Sequence, residues 1–171
     1  MTHYSIVPDR STVWIDARSN VHPIHSETSG LEGFVELELE PAGGLDLAHA
    51  PTGRLWLDVA RLTMGNRLED RELQKRIDAK RHPRIEGVLD GVGGNGKESS
   101  YKVSGDVTFR GVTRRHEDLM EITAVDQRTI RLTGSSHFDI REFGMEPPKV
   151  LLLKVEPEVE VRVEIVAVED A

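Results

Sequence analysis

The sequence of 171 residues contains no cysteine, which excludes a disulfide framework and thiolate chemistry. It also lacks any apolar run near the ~18 residues that a membrane-spanning helix requires. The absence of cysteine fits a reducing compartment, and the N-terminus shows no basic start followed by an apolar stretch, so we expect no signal peptide. The sequence therefore predicts a cytoplasmic protein without an integral membrane segment.

Basic residues are outnumbered by acidic ones, with 22 Lys and Arg against 30 Asp and Glu and a formal net charge of −8. Nucleic acids and anionic membrane surfaces are bound through basic patches, so this balance argues against nucleic acid as a partner. With 37% hydrophobic residues, the length indicates a single domain over residues 1–171 that is large enough to bury a core.

Most of the chain alternates apolar and polar residues, which is the pattern of strands with one buried face. The clearest cases are YKVSGDVTFRGVTRR at residues 101–115, with a tight turn at Gly111, and VEVRVEIVAV at residues 159–168. The predicted strands outside the central hairpin are residues 4–7, 11–20, 30–40, 54–62, 84–92, 116–125, 129–140 and 150–168. A loop is predicted at residues 22–25, and Pro157 predicts a bend or bulge in the last strand.

One segment, residues 66–80, has helical periodicity instead, with strong helix formers and neither Gly nor Pro. Asn66 and Glu69 have the spacing of a capping box, and His82-Pro83 ends the segment. The sequence thus predicts eight or nine strands with one helix after the fourth. Composition alone does not separate a β-sandwich from an up-and-down barrel.

Several short motifs occur along the chain in a defined order. They are Tyr4 to Asp9 followed by Ser11, Gly33-Phe34, Asp70 with Leu73, His82-Pro83, GDVTFRGVT at residues 105–113, and DIREFG at residues 139–144. In this order they resemble the YceI-like family of bacterial lipocalin-like barrels that bind polyisoprenoid lipids. The chain departs from the family pattern at Glu69-Asp70, where an Arg-Asp pair is usual, and at Pro147-Pro148.

The resemblance implies an eight-stranded antiparallel up-and-down barrel of lipocalin type, with the helix of residues 66–80 near one end. Its interior would hold a long isoprenoid chain or another amphiphilic lipid, and no cofactor is expected apart from such an isoprenoid or quinone-type lipid. Burial of each CH₂ group contributes roughly 0.8 kcal/mol, so an apolar tunnel needs few polar anchors. The resemblance also favours a homodimer.

The inward positions of this barrel supply the candidate ligand-binding residues. Apolar alternation selects Ile15, Val35, Leu37, Leu57, Phe109, Leu132 and Phe138. Trp14 and Trp56 alternate with these on the polar side of their strands; they either cap an interface or, if that assignment is inverted, line the cavity. Phe143 and Met145 are predicted at the barrel rim, as a lid, a ligand contact or a dimer contact. Core packing is the alternative role for every one of these residues.

No catalytic or metal-binding motif stands out among the seven histidines. His22 and His25 lie on a Pro-containing segment without an HExxH frame, and a metal needs at least three converging ligands. Residues 135–137 (Ser-Ser-His) lie in a strand pattern without a G-x-S-x-G context. We therefore predict neither a catalytic residue nor a metal site.

The favoured function is a non-catalytic binding or carrier protein for an isoprenoid-like lipid. Two alternatives stay open: an enzyme with a histidine-containing site at the barrel mouth, and a filled barrel that serves in interaction or stress response. The three hypotheses differ in what the interior contains. The first requires an apolar void of several hundred Å³, the second requires converging polar side chains, and the third requires close packing throughout.

Overall fold

The computed structural model describes residues 1–171 and contains eleven strands and one α-helix. The strands are β1 (Thr2–Ile6), β2 (Thr12–Ser19), β3 (Pro23–Ser29), β4 (Glu32–Leu37), β5 (Thr52–Asp58), β6 (Arg84–Gly94), β7 (Ser100–Phe109), β8 (Val112–Ala124), β9 (Thr129–Asp139), β10 (Lys149–Val150) and β11 (Leu153–Glu169). The helix, α1, spans Arg67–Ile77 between β5 and β6.

Eight of the strands form a closed antiparallel barrel, in the order β1, β4, β5, β6, β7, β8, β9 and β11, and β11 pairs back with β1. The β2–β3 hairpin extends the sheet from part of β11, and β10 adds a short pairing to the start of the same strand. The predicted fold class, an eight-stranded antiparallel barrel with one inserted helix, is confirmed.

The last strand, β11, holds the barrel together because both of its edges are paired over most of its 17 residues. One edge pairs with β9 from Glu158 to Val168. The other edge pairs with β2 and then with β1. The register against β2 shifts between Val155 and Val159, which confirms the irregularity predicted at Pro157.

Ser11 lies where β11 changes its partner from β2 to β1, and its side chain is fully buried. Its hydroxyl donates to the carbonyl of Val7 at 2.9 Å and accepts from the backbone N–H of Val166 at 3.1 Å. The N–H of Val7 in turn donates to the carbonyl of Val166 at 2.8 Å. The hydroxyl therefore replaces the strand hydrogen bond that is missing between the two partners.

The barrel end farthest from the helix is filled by side chains. Its fully buried residues include Leu37, Ile130 and Ala167, which belong to the main core cluster. Tyr101 spans this end, and its hydroxyl accepts a hydrogen bond from the backbone N–H of Leu45 at 2.9 Å. This half of the interior is closely packed core.

Helix α1 covers the opposite end of the barrel. The Asn66 side chain accepts from the N–H of Glu69 at 2.9 Å, as the capping pattern predicts. Leu73 and the fully buried Ile77 pack on the core. The helix ends at Ile77 rather than near residue 80, because Asp78 adopts a left-handed conformation with φ of 59°.

The structure corrects the sequence prediction in two segments. Residues 22–25 do not form a loop, since β3 begins at Pro23 and pairs with β2. The segment PIHSETS contains a single buried apolar residue, Ile24, so its alternation of apolar and polar residues is weak. Its other side chains are mostly polar, as is common in an edge strand. Residues 54–62 form a strand only as far as Asp58 and continue as a short 3-10 turn.

We expect Ser11→Ala to destabilise the protein by about 1–3 kcal/mol, because it leaves the buried N–H of Val166 without a hydrogen-bond partner. Urea denaturation measures this change. Ser5→Ala is the matched control, since the exposed Ser5 hydroxyl contacts only Asp170, and its effect should stay within about 0.5 kcal/mol. Equal losses in the two variants would contradict the role assigned to Ser11.

Candidate ligand-binding cavity

A cavity of about 410 Å³ lies inside the barrel next to the helix, and 31 of the 46 residues that line it are hydrophobic. Leu73 and Ile77 of α1 line it from one side, and Met145 and Pro148 line it from the segment between β9 and β10. The volume falls within the ~300–1,000 Å³ typical of small-molecule sites. The barrel is therefore filled at one end and hollow at the other.

Glycines at inward positions of the strands leave this space open. Gly53, Gly87 and Gly134 line the cavity at positions where the alternation of their strands directs side chains inward. Because the interior of an eight-stranded barrel is just filled by ordinary side chains, missing ones create a void. The sequence analysis did not identify these glycines; the signal that marks them is a glycine inside a strand at an inward position.

Most of the predicted lining residues lie in the cavity wall. They are Ile15, Val35, Leu57, Phe109, Leu132, Phe138, Phe143 and Met145. Their contact with a ligand remains a prediction. Leu37 also points inward, but it belongs to the filled end of the barrel and does not reach the cavity.

The two tryptophans lie on the outer face of the barrel, which corrects their inclusion among the lining residues. The guanidinium of Arg162 lies 5.2 Å from the centre of the Trp14 ring. The indole N–H of Trp56 donates to Glu32 at 3.0 Å, and Arg84 lies 5.6 Å from the ring centre. Strand alternation explains both placements, because the neighbours of each tryptophan on its strand point inward.

Phe143 and Met145 are each only 3% exposed, so they are part of the buried wall and not a projecting rim or a dimer contact. The Phe143 ring packs edge-on against Phe109, with ring centres 5.8 Å apart. Asp139 caps the 3-10 segment Ile140–Phe143 by accepting from the Arg141 backbone N–H at 2.9 Å. The hydrogen bonds from the Arg141 side chain and backbone lower the pKa of Asp139.

The segment after Phe143 is also tied to the helix by polar contacts. Arg76 of α1 forms an ion pair with Glu146 at 2.7 Å. Arg110, in the turn between β7 and β8, donates to the carbonyl of Arg76 at 2.9 Å and to that of Gly144 at 2.7 Å. These contacts hold the helix and the β9–β10 connection together over the hollow end.

Ionisable residues around the cavity are of two kinds. Arg54, Glu86 and Asp106 occupy outward positions of their strands, where Arg54 pairs with Glu86 at 3.5 Å. His116 and Asp118 occupy inward positions of β8 and line the cavity. They are the two ionisable side chains at inward positions that line the cavity; Arg114, at the next inward position of β8, is exposed at the barrel mouth and donates to the carbonyl of Glu142 at 3.0 Å.

His116 and Asp118 form a polar cluster with Ser136 of β9. The pairing of β8 with β9 begins at Met120 and Gly134, so the two strands separate beside the cluster. One oxygen of Asp118, Oδ2, accepts hydrogen bonds from His116 Nε2 at 2.5 Å and from the Ser136 hydroxyl. The His116 ring stacks on Phe138 with ring centres 4.4 Å apart. The sequence analysis missed this cluster, although polar residues at inward positions of two neighbouring strands are its signal.

The polar cluster does not have the arrangement of a nucleophilic triad. The Ser136 hydroxyl donates to Asp118 and not to His116, so no imidazole is positioned to take its proton as in a Ser-His-Asp triad. No group of three or more His, Asp or Glu side chains converges in the way that a metal ion requires. His137 lies on the outward face of β9 opposite Glu160, and His25 bonds to Asp16 on the outer surface.

Comparison with known proteins bears on this site. The family model of the YceI-like domain matches residues 4–167. The chain belongs to the YceI-like family. Among curated proteins, none matches the sequence significantly. No helix of this YceI-like chain is both long and apolar enough to pass through a membrane.

Solved structures with the same fold share little sequence with the chain. BcnA of Burkholderia cenocepacia is 18% identical, with a TM-score of 0.73 over 94% of this chain and 98% of that one. A polyisoprenoid binding domain from Saccharophagus degradans, described as implicated in plant cell wall breakdown, is 12% identical, with a TM-score of 0.76 over 99% and 100%. The YCEI protein of Campylobacter jejuni is 16% identical, with a TM-score of 0.62 over 80% and 81%. These similarities establish the YceI-like fold.

We expect Gly87→Leu to fill part of the cavity and to weaken binding of the apolar fluorophore N-phenyl-1-naphthylamine about tenfold or more. The added side chain removes room for two or three CH₂ groups, at roughly 0.8 kcal/mol each. A Cβ atom at Gly87 would lie 3.3 Å from Leu55 Cδ1, a flexible side chain that can move aside, so the fold should tolerate it. Fluorescence titration measures the affinity.

Gly93→Leu is the control for this substitution. Gly93 belongs to the same strand, but the register shift between Leu89 and Gly91 turns it to the outer side, opposite Lys102, and no atom lies within 4 Å of a Cβ built there. The control should bind the fluorophore as the wild type does. Unchanged binding in the Gly87 variant would contradict the assignment of the cavity as the binding site.

Proposed function

We propose that this protein binds a long-chain isoprenoid, or a similar amphiphilic lipid, inside the barrel and carries or sequesters it without catalysing a reaction. The observation that carries the proposal is the apolar cavity of about 410 Å³ in the hollow half of the barrel. A filled barrel would leave no such space, so the hypothesis of a purely structural interior is disfavoured.

The energetics of the cavity support an apolar chain as the occupant. Each buried CH₂ contributes roughly 0.8 kcal/mol, so a chain of ten carbons gains about 8 kcal/mol before the losses of entropy on binding. Micromolar affinity corresponds to about 8 kcal/mol. Apolar burial thus supplies most of the free energy for binding, and a few polar contacts to the head group are sufficient.

Family membership supports the same proposal. The YceI-like domain matches nearly the whole chain, and the fold is shared with a domain described as polyisoprenoid-binding. The polar cluster of His116, Asp118 and Ser136 gives no support to the enzymatic alternative, because its hydrogen bonds do not activate a nucleophile. The cytoplasmic location and the homodimer, both expected from the sequence, remain predictions.

Native mass spectrometry of freshly purified protein tests the proposal. We expect an adduct of several hundred daltons that organic extraction identifies as an isoprenoid or related amphiphile. If the protein is purified empty, it should take up an added polyprenol or quinone, and Gly87→Leu should reduce that uptake. The same spectra report the mass of any dimer.

The proposal is wrong if the wild-type protein carries no such molecule and takes up neither isoprenols nor quinones. A wild-type protein that loads as well after Gly87→Leu as before would place the lipid outside the barrel interior.

A further inference from the structure

We infer that the polar cluster of Asp118, His116 and Ser136 is a head-group subsite that selects amphiphiles whose head donates a hydrogen bond, such as an alcohol or a quinol. It disfavours heads that only accept hydrogen bonds, such as aldehydes and quinones, and heads that carry a negative charge. The inference rests on the proposed function, because it concerns the head of a chain held in the cavity.

The position of the cluster brings it into contact with whatever fills the cavity. Asp118, His116 and Ser136 all line the void, while the inward neighbours in the adjoining strands are apolar. Val103 lies opposite Asp118 on β7, and Val161 lies opposite Ser136 on β11. A ligand chain in this cavity therefore meets the cluster on a largely apolar wall, whose other inward polar groups include the buried, unpartnered hydroxyl of Ser26 on β3.

The hydrogen-bonding capacity left on Asp118 and Ser136 is all of the acceptor type. The hydroxyl of Ser136 and the Nε2–H of His116 are both used on Asp118 Oδ2. Asp118 Oδ1 receives no hydrogen bond from a protein side chain, and Ser136 Oγ keeps its acceptor lone pairs. Only a head that donates can satisfy these groups.

The charges near the cluster oppose an anionic head. The basic side chains at inward positions of β8 near Asp118 are His116, which is bonded to Asp118, and Arg114, whose Nε donates to the carbonyl of Glu142 at 3.0 Å. The basic residues on the outer face of the neighbouring strands are already paired: Arg115 with Asp90 at 2.6 Å, and Lys102 with Glu117 at 3.7 Å. A carboxylate or phosphate head at the cluster would meet the Asp118 carboxylate directly in a region of low dielectric constant, whereas Arg114 is held towards the mouth by the carbonyl of Glu142.

The position of the Asp118 carboxylate in an apolar cavity also requires a physical explanation. Burying a charged group is unfavourable unless hydrogen bonds compensate, and apolar residues of similar volume usually serve core packing better. The two donors to Asp118 satisfy one of its oxygens and leave the other directed to no protein partner. A hydrogen-bond donor on the ligand would satisfy that second oxygen. Small-molecule binding sites are typically built in this way, from an apolar wall with a few precisely placed polar groups.

The test compares three ligands with the same isoprenoid chain: geranylgeraniol, the corresponding aldehyde and the corresponding carboxylate. Dissociation constants are measured at neutral pH by displacement of N-phenyl-1-naphthylamine. We expect the alcohol to bind about tenfold or more tightly than the aldehyde, as expected for one hydrogen bond to a charged acceptor. The carboxylate should bind more weakly than the alcohol by at least the same factor.

Asp118→Asn converts the carboxylate into an amide that both donates and accepts, so the preference for the alcohol over the aldehyde should fall to within about twofold. Glu117→Gln is the matched control, because Glu117 adjoins Asp118 on β8 but faces outward and pairs with Lys102. Ser136→Ala removes one donor to Asp118 and leaves more of its acceptor capacity to the ligand, so the preference for the alcohol should persist, as it should in Ser135→Ala on the outer face.

The possible outcomes separate the two proposals. Tight binding of all three ligands with equal affinity by the wild type leaves the lipid-binding function in place and overturns the head-group subsite. A wild-type preference for the alcohol that Asp118→Asn leaves unchanged also overturns it. Failure of the wild type to bind any of the three chains overturns the proposed function itself. Retained aldehyde binding by the Asp118 variant shows that its barrel is folded.

Discussion

Closure of the sheet by β11 is the constraint on which the rest of the molecule depends. One edge of this strand pairs with β9, and the other is divided between β2 and β1, with the Ser11 hydroxyl between them. Closure removes the free edges of the central sheet, which otherwise tend to pair with other chains. It also sets the width of the interior, because the width of a barrel follows from the number of strands and their stagger. Inward side chains then decide whether the interior is solid or hollow.

The interior is divided along the barrel axis by the size of those side chains. Residues such as Leu37 and Tyr101 fill the end away from the helix, and glycines such as Gly53 and Gly87 leave the helix end open. The filled half supplies the apolar burial that keeps a domain of this size folded without a ligand. The helix and the segment around Phe143 then cover a void that the fold itself does not require. The division allows stability and binding to be carried by different residues of one barrel.

Strand alternation was sufficient to predict a mainly β chain and most of the wall residues, because the period of two is a local property of the backbone. The choice of a barrel over a sandwich came from the resemblance to the YceI-like family. Alternation placed Ile15 and Leu57 correctly, and their neighbours Trp14 and Trp56 therefore lie outside, beside Arg162 and Glu32. What it missed depends on pairing between distant strands. The β3 strand has too few apolar residues to show alternation and exists through its register with β2. The position of the cavity beside the inward glycines can be predicted only when the pairing of the strands is known. The same is true of the contact between Asp118 and Ser136.

The point where β8 and β9 separate lies in the wall of the cavity, beside the polar cluster of His116, Asp118 and Ser136. Backbone pairing between the two strands ends at Met120 and Gly134, and side chains bridge the rest, through the hydrogen bond of Ser136 to Asp118 and the stacking of His116 on Phe138. The polar side chains at this point therefore have two roles: they connect β8 to β9, and they line the cavity. With the proposed subsite, a head group bonded to Asp118 would compete with or reinforce these bridges, so occupancy and the closure of this part of the wall would be thermodynamically coupled. The chemistry of the head, and not only the length of the chain, would then determine how firmly the wall holds its ligand.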